Sequence, residues 1–307
     1  MAVTVGNGAY QYDVAEGWGK LPEGYDWGQI GAVSVDSRDR VHVCTRTEHP
    51  VLILDRDGNF LGSWGEGILL DPHGICFDAD DNVYYVDREP CVILKFNSAG
   101  KKIWETGDRD QPSDTGFTKE NRTAIRAADP FNYPTDIAFS ANGDFYVSDG
   151  DRNACVHKFN ADGKLLFSWG EPGDGPGQFN RPHCVWEADG RVFVGDRDNN
   201  RIQIFTPAGK YLDAWGGFVQ PAKIYVDGRG IMYVAELKGR VSILDLKGNL
   251  LARWGDPVKR TRTWACSRRP IVFGPTSMAI SMSARCSRPS AFRNSSARLR
   301  LKTMRER

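Results

Sequence analysis

The sequence predicts an all-β fold, a six-bladed β-propeller whose sixth blade is missing or disrupted. Three observations support this prediction. One cassette of short strands recurs along the chain, Gly, Asp and Asn separate the strands, and no stretch shows helical periodicity over several turns. The copies begin roughly 40 to 60 residues apart, within or near the spacing of propeller blades. The repeat therefore decides the fold class before any single residue is considered.

The fullest copy of the cassette spans 179–216 and shows what one blade contains. Runs rich in Val, Ile and Phe at 182–186, 191–196 and 201–205 alternate with turn residues, and a Trp-Gly pair closes the copy. Short β-branched and aromatic runs between such turns are typical of strands. The same pattern predicts four further blades, at 32–65, 72–96, 134–170 and 221–255.

Two segments outside the blades also have a predicted place. The segment 12–19 matches the outermost strand of a blade but lacks inner strands of its own. In a propeller such a strand commonly completes the last blade and closes the ring, which limits exposed strand edges. We therefore expect Tyr12–Trp18 to lie as an outer strand beside the gap or the tail. A polar insertion, 108–129, is expected to form a loop over one face.

Charge divides the chain near Gly255. Residues 1–255 carry 27 Lys and Arg against 37 Asp and Glu, whereas 256–307 carry 13 against two. This step predicts a propeller domain at 1–255 and a basic, Ser/Arg-rich tail at 256–307, which we expect to be disordered. The acidic body argues against nucleic-acid binding by the propeller. Nothing resembles the run of about 20 apolar residues that crosses a membrane.

The cysteines bear on the cellular setting. All seven are scattered and none form a CxxC pair, which argues against a disulfide framework and against a thiolate zinc site. The first 14 residues show neither a basic n-region nor an apolar h-region, so we expect no secretory signal. Together these features predict a reducing, cytoplasmic setting.

The strand motifs of the cassette resemble NHL repeats over about residues 10–255. Strand one begins Pro-x-x-Ile/Val, strand two ends Tyr/Phe-Val-x-Asp, and strand three of blade four reads Asn-x-Arg-Ile-Gln-x-Phe. More narrowly, the chain resembles bacterial relatives of peptidyl-α-hydroxyglycine α-amidating lyase. That resemblance implies an NHL-type propeller with a catalytic zinc in its central channel. It also implies histidines of Pro-His dipeptides as ligands, an arginine on blade one and a tyrosine base on blade three.

Four residues stand at the positions that this resemblance marks. His73 in blade two and His183 in blade four belong to Pro-His dipeptides, Arg46 takes the arginine's place, and Asp151 replaces the tyrosine. Three such histidines on alternate blades would converge on one point and leave an open zinc position, as in catalytic sites. The alternative is that each histidine only forms hydrogen bonds near the channel. For Arg46 the choices are binding of a substrate carboxylate or a solvated loop position.

The remaining polar and aromatic residues receive structural interpretations. We expect His42 to be exposed on a strand and His157 to lie at the surface, while His49 either supports Arg46 or does not. Acidic residues that end the second strands are expected to cap turns; they are Asp87, Asp149, Asp196 and Glu236. Tryptophans that close the outer strands are expected to serve packing; they are Trp64, Trp169, Trp215 and Trp254.

The tail admits a second interpretation, based on the genetic code. Suppose that the reading frame is shifted, so that each new codon consists of the last base of one original codon and the first two bases of the next. The codons possible for the tail then allow the motifs of the cassette, in their usual order. Residues 264–275 then force a Gly and allow Pro-His-Cys-Val-Trp, and residues 290–295 allow Arg-Ile-Gln-Lys-Phe. We interpret the tail as a frameshifted sixth blade whose Pro-His was the third zinc ligand.

These observations favour a zinc-dependent, lyase-like propeller that cleaves a carbinolamide C–N bond in a small-molecule or peptide-like substrate. The loss of the third ligand and the Asp151 replacement predict impaired activity in this chain. A non-catalytic NHL-repeat scaffold for protein or other ligands is the alternative from another class. A calcium-dependent, lactonase-like propeller is a third interpretation, and a structural calcium is a further cofactor to be considered. Metal content separates the three.

Overall fold

The structure is a computed structural model that describes residues 3–15, 17–255 and 298–300. Within these ranges, twenty strands form five antiparallel sheets of four, and each sheet follows the chain order from one strand to the next. Inner strands of consecutive blades lie side by side around a channel. The predictions of an all-β propeller and of five blades are confirmed. The predictions of a disordered tail and of a frameshifted sixth blade fall on 256–297 and 301–307, outside the described residues.

Each blade runs from an inner strand at the channel to an outer strand at the rim. The chain begins with the hairpin β1 (Val3–Asn7) and β2 (Tyr10–Ala15). Blade one consists of β3 (Ile30–Val35), β4 (Val41–Thr45), β5 (Val51–Leu54) and β6 (Phe60–Trp64). Blade two consists of β7 (Pro72–Phe77), β8 (Val83–Asp87), β9 (Val92–Phe96) and β10 (Lys102–Thr106). Blade three consists of β11 (Pro134–Phe139), β12 (Phe145–Asp149), β13 (Cys155–Phe159) and β14 (Leu165–Trp169).

The later strands repeat this plan after a short parallel ladder. The ladder is formed by β15 (Glu171–Pro172) and β16 (Gln178–Phe179). Blade four consists of β17 (Pro182–Ala188), β18 (Arg191–Asp196), β19 (Arg201–Phe205) and β20 (Tyr211–Trp215). Blade five consists of β21 (Pro221–Val226), β22 (Ile231–Glu236), β23 (Arg240–Asp245) and β24 (Leu250–Trp254). The last described strand is β25 (Arg298–Arg300), which pairs with β2.

The core of the protein lies between blades rather than inside one. Four of the six apolar clusters among the described residues join neighbouring blades, as where Val51 of blade one packs with Tyr85 and Leu94 of blade two. Every residue of β4, β8 and β12 is buried. Strands covered on both faces read as continuous apolar runs because neither face meets water. This double coverage explains why the cassette lacks strict apolar–polar alternation.

Tryptophans at the ends of outer strands cover the rim. Trp64, Trp104, Trp169 and Trp215 each lie over a turn glycine of the following blade; the glycines are Gly100, Gly163, Gly209 and Gly248. The contact is close, because a Cβ atom on Gly248 would lie 2.7 Å from the Trp215 ring. Trp254 instead packs against Tyr12, with ring centroids 5.4 Å apart. The packing role predicted for these tryptophans is therefore confirmed.

The N-terminal segment contacts both blade five and blade one. Strand β1 lies against β24, and Tyr12 packs with Tyr233, Ile243 and Ala252 of blade five. Further along, Trp18 lies over Gly58 of blade one, where a Cβ atom would be 2.9 Å from its ring. Trp18 thus relates to blade one as Trp64 relates to blade two.

The insertion before blade three is a loop, as predicted. Residues 108–129 contain no strand or helix, and the loop is fixed where the Thr115 hydroxyl donates to the Arg152 carbonyl at 2.7 Å. The Asn132 side chain donates to the Ser113 carbonyl at 2.8 Å. Across the described residues, the structure contains no helix long and apolar enough to span a bilayer.

Candidate metal centre in the channel

In every blade, the second residue of the inner strand interrupts the hydrogen-bond ladder between that strand and the second strand. The register shifts at the same place in all five blades, so one residue in each forms a bulge; these residues are Gly31, His73, Thr135, His183 and Ala222. A bulge re-aims the side chain of its extra residue and is common next to active sites. His73, Thr135, His183 and Ala222 all line a channel cavity of about 300 Å³.

The two histidines face each other across this cavity. Their ring centroids are 5.1 Å apart and the ring planes meet at 69°. His73 Nδ1 donates to the Thr135 carbonyl at 2.8 Å, and His183 Nδ1 donates to the Ala222 carbonyl at 2.9 Å. Each imidazole is thus held by the bulge residue of the next blade. A histidine that donates from Nδ1 to a carbonyl keeps the Nε2 lone pair for a metal.

Both imidazoles are neutral near pH 7. Burial, and after it the positive charge of Arg88, lowers the pKa of His73 to about 4. Burial and the positive charge of Arg197 hold the pKa of His183 well below its usual range. A metal binds the neutral form of imidazole, so no proton has to be displaced before these residues can act as ligands.

A network of alternating charges surrounds the histidines at the channel mouth. Asp71 accepts from Arg46 Nε at 2.7 Å and from Arg88 Nε at 2.8 Å. Arg88 also reaches Asp151 at 2.5 Å. Arg197 lies 3.7 Å from Asp151 and pairs with Asp198, which also lies near Arg181. Four guanidiniums against three carboxylates leave this mouth with an excess positive charge.

Asp151 lies inside that network and not at its edge. It follows Gly150, where a Cβ atom would collide with the Pro182 carbonyl oxygen, so only glycine allows this approach. Burial raises the pKa of Asp151, but the imidazoles of His183 and His73, when protonated, and the guanidiniums of Arg88 and Arg197 hold it well below its usual range. Asp151 is therefore an ionised carboxylate whose buried Oδ1 lies in an ion pair with Arg197 but accepts no hydrogen bond from the described residues.

These observations fit a divalent cation such as zinc. Two neutral imidazoles with oriented Nδ1 atoms supply nitrogen ligands, and zinc accepts nitrogen and carboxylate oxygen. Asp151 places a negative charge close enough to both histidines to act on their pKa values.

Comparison with known proteins agrees with the repeat. A model of the NHL repeat matches residues 131–159, which lie mainly in blade three. The chain carries an NHL repeat. It is 34% identical over 216 residues to NHL repeat-containing protein 3 of Homo sapiens. The aligned region covers 67% of this chain and 59% of the human protein. It is 29% identical over 196 residues to peptidyl-alpha-hydroxyglycine alpha-amidating lyase 1 of Drosophila melanogaster, covering 58% of this chain and 33% of the fly protein.

A solved structure supports the architecture. A streptogramin B lyase matches with a TM-score of 0.58 and 14% sequence identity, over 89% of this chain and 80% of that one. At this identity the likeness concerns the fold alone. The chain spans about three fifths of the human relative, at 59%, and a smaller share of the fly lyase.

Two arginines of the site escaped the sequence analysis. Arg88 and Arg197 follow the second strands of blades two and four at the position that Arg46 holds in blade one. In each case the backbone N–H of the arginine donates to the carbonyl of the residue before the inner strand. Blade-by-blade alignment of the residue after strand two would have found them, because three of the five blades have arginine there.

Two histidines are buried where the sequence predicted exposure. His42 is 6% exposed and lies 3.1 Å from Asp36, and His157 is 0% exposed. Both predictions were wrong because middle strands of a blade are covered on both faces, so alternation along the strand does not mark a solvent side. The ring of His49 stacks on that of Tyr25 with centroids 4.1 Å apart, and its Nδ1 lies 2.9 Å from Glu66 Oε1.

The acidic residues that end the second strands cap the loops before the inner strands, as predicted. Each carboxylate accepts a backbone N–H from that loop; the pairs are Asp87 with Asp71, Asp149 with Asn132, Asp196 with Asn180, and Glu236 with Val219. The four carboxylates are fully buried. These bonds fix the approach to each bulge residue, so the caps help to position His73 and His183.

Proposed function

We propose that this protein is a zinc-dependent carbon–nitrogen lyase acting on small N-acyl α-hydroxyglycines or related carbinolamides. The observation that carries the proposal is the pair of neutral imidazoles, His73 and His183, beside an arginine-rich channel mouth. The similarity to an α-amidating lyase supports the reaction class. The proposal thus includes the identity of the metal, the residues that bind it and the class of substrate.

His73 and His183 would hold the metal through Nε2, since their Nδ1 atoms are engaged by backbone carbonyls. When bound, zinc lowers the pKa of a coordinated oxygen and polarises the bond next to it. The third histidine expected from the shifted reading frame falls outside the described residues. Among the described residues, Asp151 is the acidic side chain best placed to act as a third ligand, because its buried Oδ1 accepts no hydrogen bond.

The arginines would bind and orient the substrate. The positive excess at the channel mouth attracts an α-hydroxyglycine carboxylate, and a guanidinium can hold a carboxylate through two parallel hydrogen bonds. Arg46 is 19% exposed in its side chain, more than Arg88 at 11% or Arg197 at 7%. We therefore assign the carboxylate contact to Arg46, and assign Arg88 and Arg197 to holding Asp151.

The acyl group would enter the channel cavity. Ile75, Phe77, Trp186 and Tyr225 line its walls, which gives an apolar surface suited to an N-acyl or N-aroyl group. At about 300 Å³ the cavity accommodates a small acyl group rather than a folded peptide segment.

The reaction breaks the C–N bond and leaves an amide and glyoxylate. The hydroxyl oxygen loses its proton and forms the carbonyl of glyoxylate, while the departing nitrogen gains a proton. Asp151 is a weak acceptor for that proton because its neighbours hold its pKa well below the usual range. A weak base and an incomplete ligand set both predict slow turnover.

The test is glyoxylate release from N-benzoyl-α-hydroxyglycine, measured with the zinc-loaded full chain. We expect slow, zinc-dependent release that falls at least about 100-fold in His73→Ala and His183→Ala, since each removes a metal ligand. His49→Ala, which changes a histidine outside the channel, serves as the control. Activity that is independent of zinc or unchanged in both variants would contradict the proposal.

A second experiment tests the tail. A chain translated in the shifted frame after Gly255 should bind zinc more tightly, melt at a higher temperature and release glyoxylate faster than the chain that ends in the basic tail. Equal zinc binding and equal melting temperatures would show that the tail has no part in the site.

A non-catalytic binding scaffold is the second candidate function. The observation in its favour is the 34% identity to NHL repeat-containing protein 3, a higher value than that to the fly lyase. Zinc content of the purified protein distinguishes the two, because a scaffold role gives no reason for stoichiometric metal at His73 and His183.

A further inference from the structure

The interior of blade three differs from those of blades four and five. In blade four the buried Asp196 is paired across the ladder with Arg201, whose Nε lies 2.7 Å from the carboxylate. In blade five Glu236 is paired in the same way with Arg240. Blade three has Asp149 at this place, yet its ladder partner is Cys155. Blades four and five thus give their buried carboxylate an arginine as counter-charge, and blade three lacks that arginine.

The side chains around Asp149 form a compact donor set. His157 Nε2 lies 3.3 Å from Asp149 Oδ2 and 3.4 Å from Cys155 Sγ. In the part of the chain that the structure describes, this is the one trio of His, Cys, Asp or Glu side chains whose ligand atoms all lie within 4.8 Å of one another. All three residues are buried.

The spacing of these atoms matches the edges of a tetrahedral zinc site. Zinc–sulfur bonds of about 2.3 Å and zinc–nitrogen bonds of about 2.0 Å give ligand separations of about 3.3–3.6 Å. The separations from His157 Nε2, 3.3 Å to Asp149 Oδ2 and 3.4 Å to Cys155 Sγ, lie within that range. Sulfur, imidazole and carboxylate together form a donor set that zinc prefers.

Unpaired oxygens and an oriented imidazole give independent support. The buried Oδ1 of Asp149 and the buried Oδ1 of Asn132 accept no hydrogen bond from any described residue. Asn132 is held next to the cluster because its backbone N–H donates to Asp149 at 2.8 Å. On the far side of the ring, His157 Nδ1 lies 2.8 Å from Ser168 Oγ and 3.2 Å from Asp129. Carboxylate and hydroxyl partners of this kind orient metal-binding histidines.

We propose that Asp149, Cys155 and His157 form a second, structural zinc site inside blade three. On binding, the Cys155 thiol and the His157 ring each release one proton to solvent, and the metal is bonded by the thiolate through Sγ and by the neutral imidazole through Nε2. Thiolate and carboxylate together balance the two charges of zinc, so the buried site is neutral as a whole. The metal thereby does in blade three what Arg201 does in blade four.

The site would also anchor the insertion loop. Asp129 and Asn132 belong to or adjoin the segment 108–129, and both contact the cluster. Zinc binding at Asp149, Cys155 and His157 would therefore stabilise the loop that covers this face of the propeller. The anchor does not depend on the channel site or on its activity.

The test uses cobalt as a spectroscopic replacement for zinc in the full chain. His73→Ala/His183→Ala is the background, since it removes the proposed channel ligands. We expect one bound cobalt with a near-ultraviolet thiolate-to-cobalt charge-transfer band, which Cys155→Ser abolishes. Zinc should raise the melting temperature of this background, and a chelator should reverse the rise.

A double variant keeps the test decisive if single variants fold poorly. Cys155→Arg/His157→Gln copies the Arg201 and Gln203 arrangement of blade four, so it should fold with a melting temperature insensitive to zinc and chelator. The proposal is overturned if the background shows no cobalt–thiolate band and no zinc-dependent melting. It is also overturned if the band survives Cys155→Ser.

Discussion

Two regions of this propeller bury histidines to the same degree and give them opposite protonation behaviour. In the channel, the pKa values of His73 and His183 are lowered, whereas the pKa of His157 in blade three is raised well above its usual value. Burial opposes the charged form in all three cases. The neighbours therefore decide the outcome: arginines lower the pKa values in the channel, whereas the Cys155 thiol and two carboxylates raise that of His157 in blade three.

The difference determines how each region would take up a metal. The channel imidazoles already present lone pairs, so a cation adds to them without competing against a proton. In blade three a cation has to displace protons from His157 and Cys155, because burial raises the pKa of the Cys155 thiol. Metal binding in blade three should accordingly weaken with falling pH more steeply than binding in the channel.

The largest expected effect on stability comes from Asp151→Asn. The substitution leaves Arg88 and Arg197 without their shared carboxylate in a buried network, and removal of one partner from such a network costs about 3–5 kcal/mol. Urea unfolding of the metal-free protein measures the loss. Asp174→Asn is the matched control, since Asp174 is exposed and a surface change of this kind costs about 0.5 kcal/mol or less. Equal losses in the two variants would show that Asp151 does not balance the channel arginines.

The sequence predicted the elements of the channel site better than their chemistry. His73 and His183 could be found because Pro-His recurs in equivalent strands, and the structure places both at bulges facing one cavity. The state of Asp151 could not be found, because it depends on Arg88 from blade two and Arg197 from blade four. Contacts between blades join residues more than 40 positions apart, which no local pattern reveals.

The blade-three cluster was missed for a related reason. His157 was expected to lie at the surface, and the scattered cysteines argued against a thiolate site. Only the strand register brings Cys155 opposite Asp149 and His157 beside both. The missing arginine was visible in the repeat alignment, since blades four and five have arginine at that position. Its absence becomes informative once the partner carboxylate is known to be buried.

The next largest effect is a loss of stability at acidic pH, caused by His73 in the channel. Because the folded pKa of His73 is about 4 and the unfolded value about 6.5, the unfolded state binds more protons between these values. The stability that His73 contributes is fully present above pH 6.5 and is lost as pH falls towards 4. The shift corresponds to about 3 kcal/mol. Urea unfolding of the metal-free protein from pH 7 to 4 should show this slope, reduced in His73→Gln. An identical slope in the variant would assign the acid sensitivity to other groups.

Blade three should show the opposite sign. The folded pKa of His157 is raised, so its contribution is fully present below the unfolded value of about 6.5 and is lost as pH rises through the folded pKa. In the metal-free protein, His157→Gln should cost about 2 kcal/mol at pH 6, because hydrogen bonds to a charged group are lost. Nitrogen-15 chemical shifts of the ring report the proton directly. A ring that is neutral at pH 6.5 without metal would break the contrast between the two regions.

The smallest expected effect tests the partner that orients His157. Ser168 Oγ lies 2.8 Å from His157 Nδ1 and donates to Asp129 at 2.6 Å, so it links the ring to the insertion loop. Blade four has Ala214 at the equivalent place, opposite Gln203, which shows that the fold tolerates alanine there. Ser168→Ala should therefore leave the propeller intact and cost about 1 kcal/mol, the usual net value of one hydrogen bond.

The readout that separates orientation from packing is the zinc affinity of blade three. Loss of an orienting partner weakens metal binding by about 10-fold or more, so Ser168→Ala should lower this affinity in the His73→Ala/His183→Ala background. Ser63→Ala is the matched control, because Ser63 lies on the outer strand of blade one opposite Leu52 and not opposite a histidine. If Ser168→Ala and Ser63→Ala leave zinc affinity equally unchanged, the hydroxyl has only a packing role. The contrast with the channel would then depend on Asp149 and Cys155 alone.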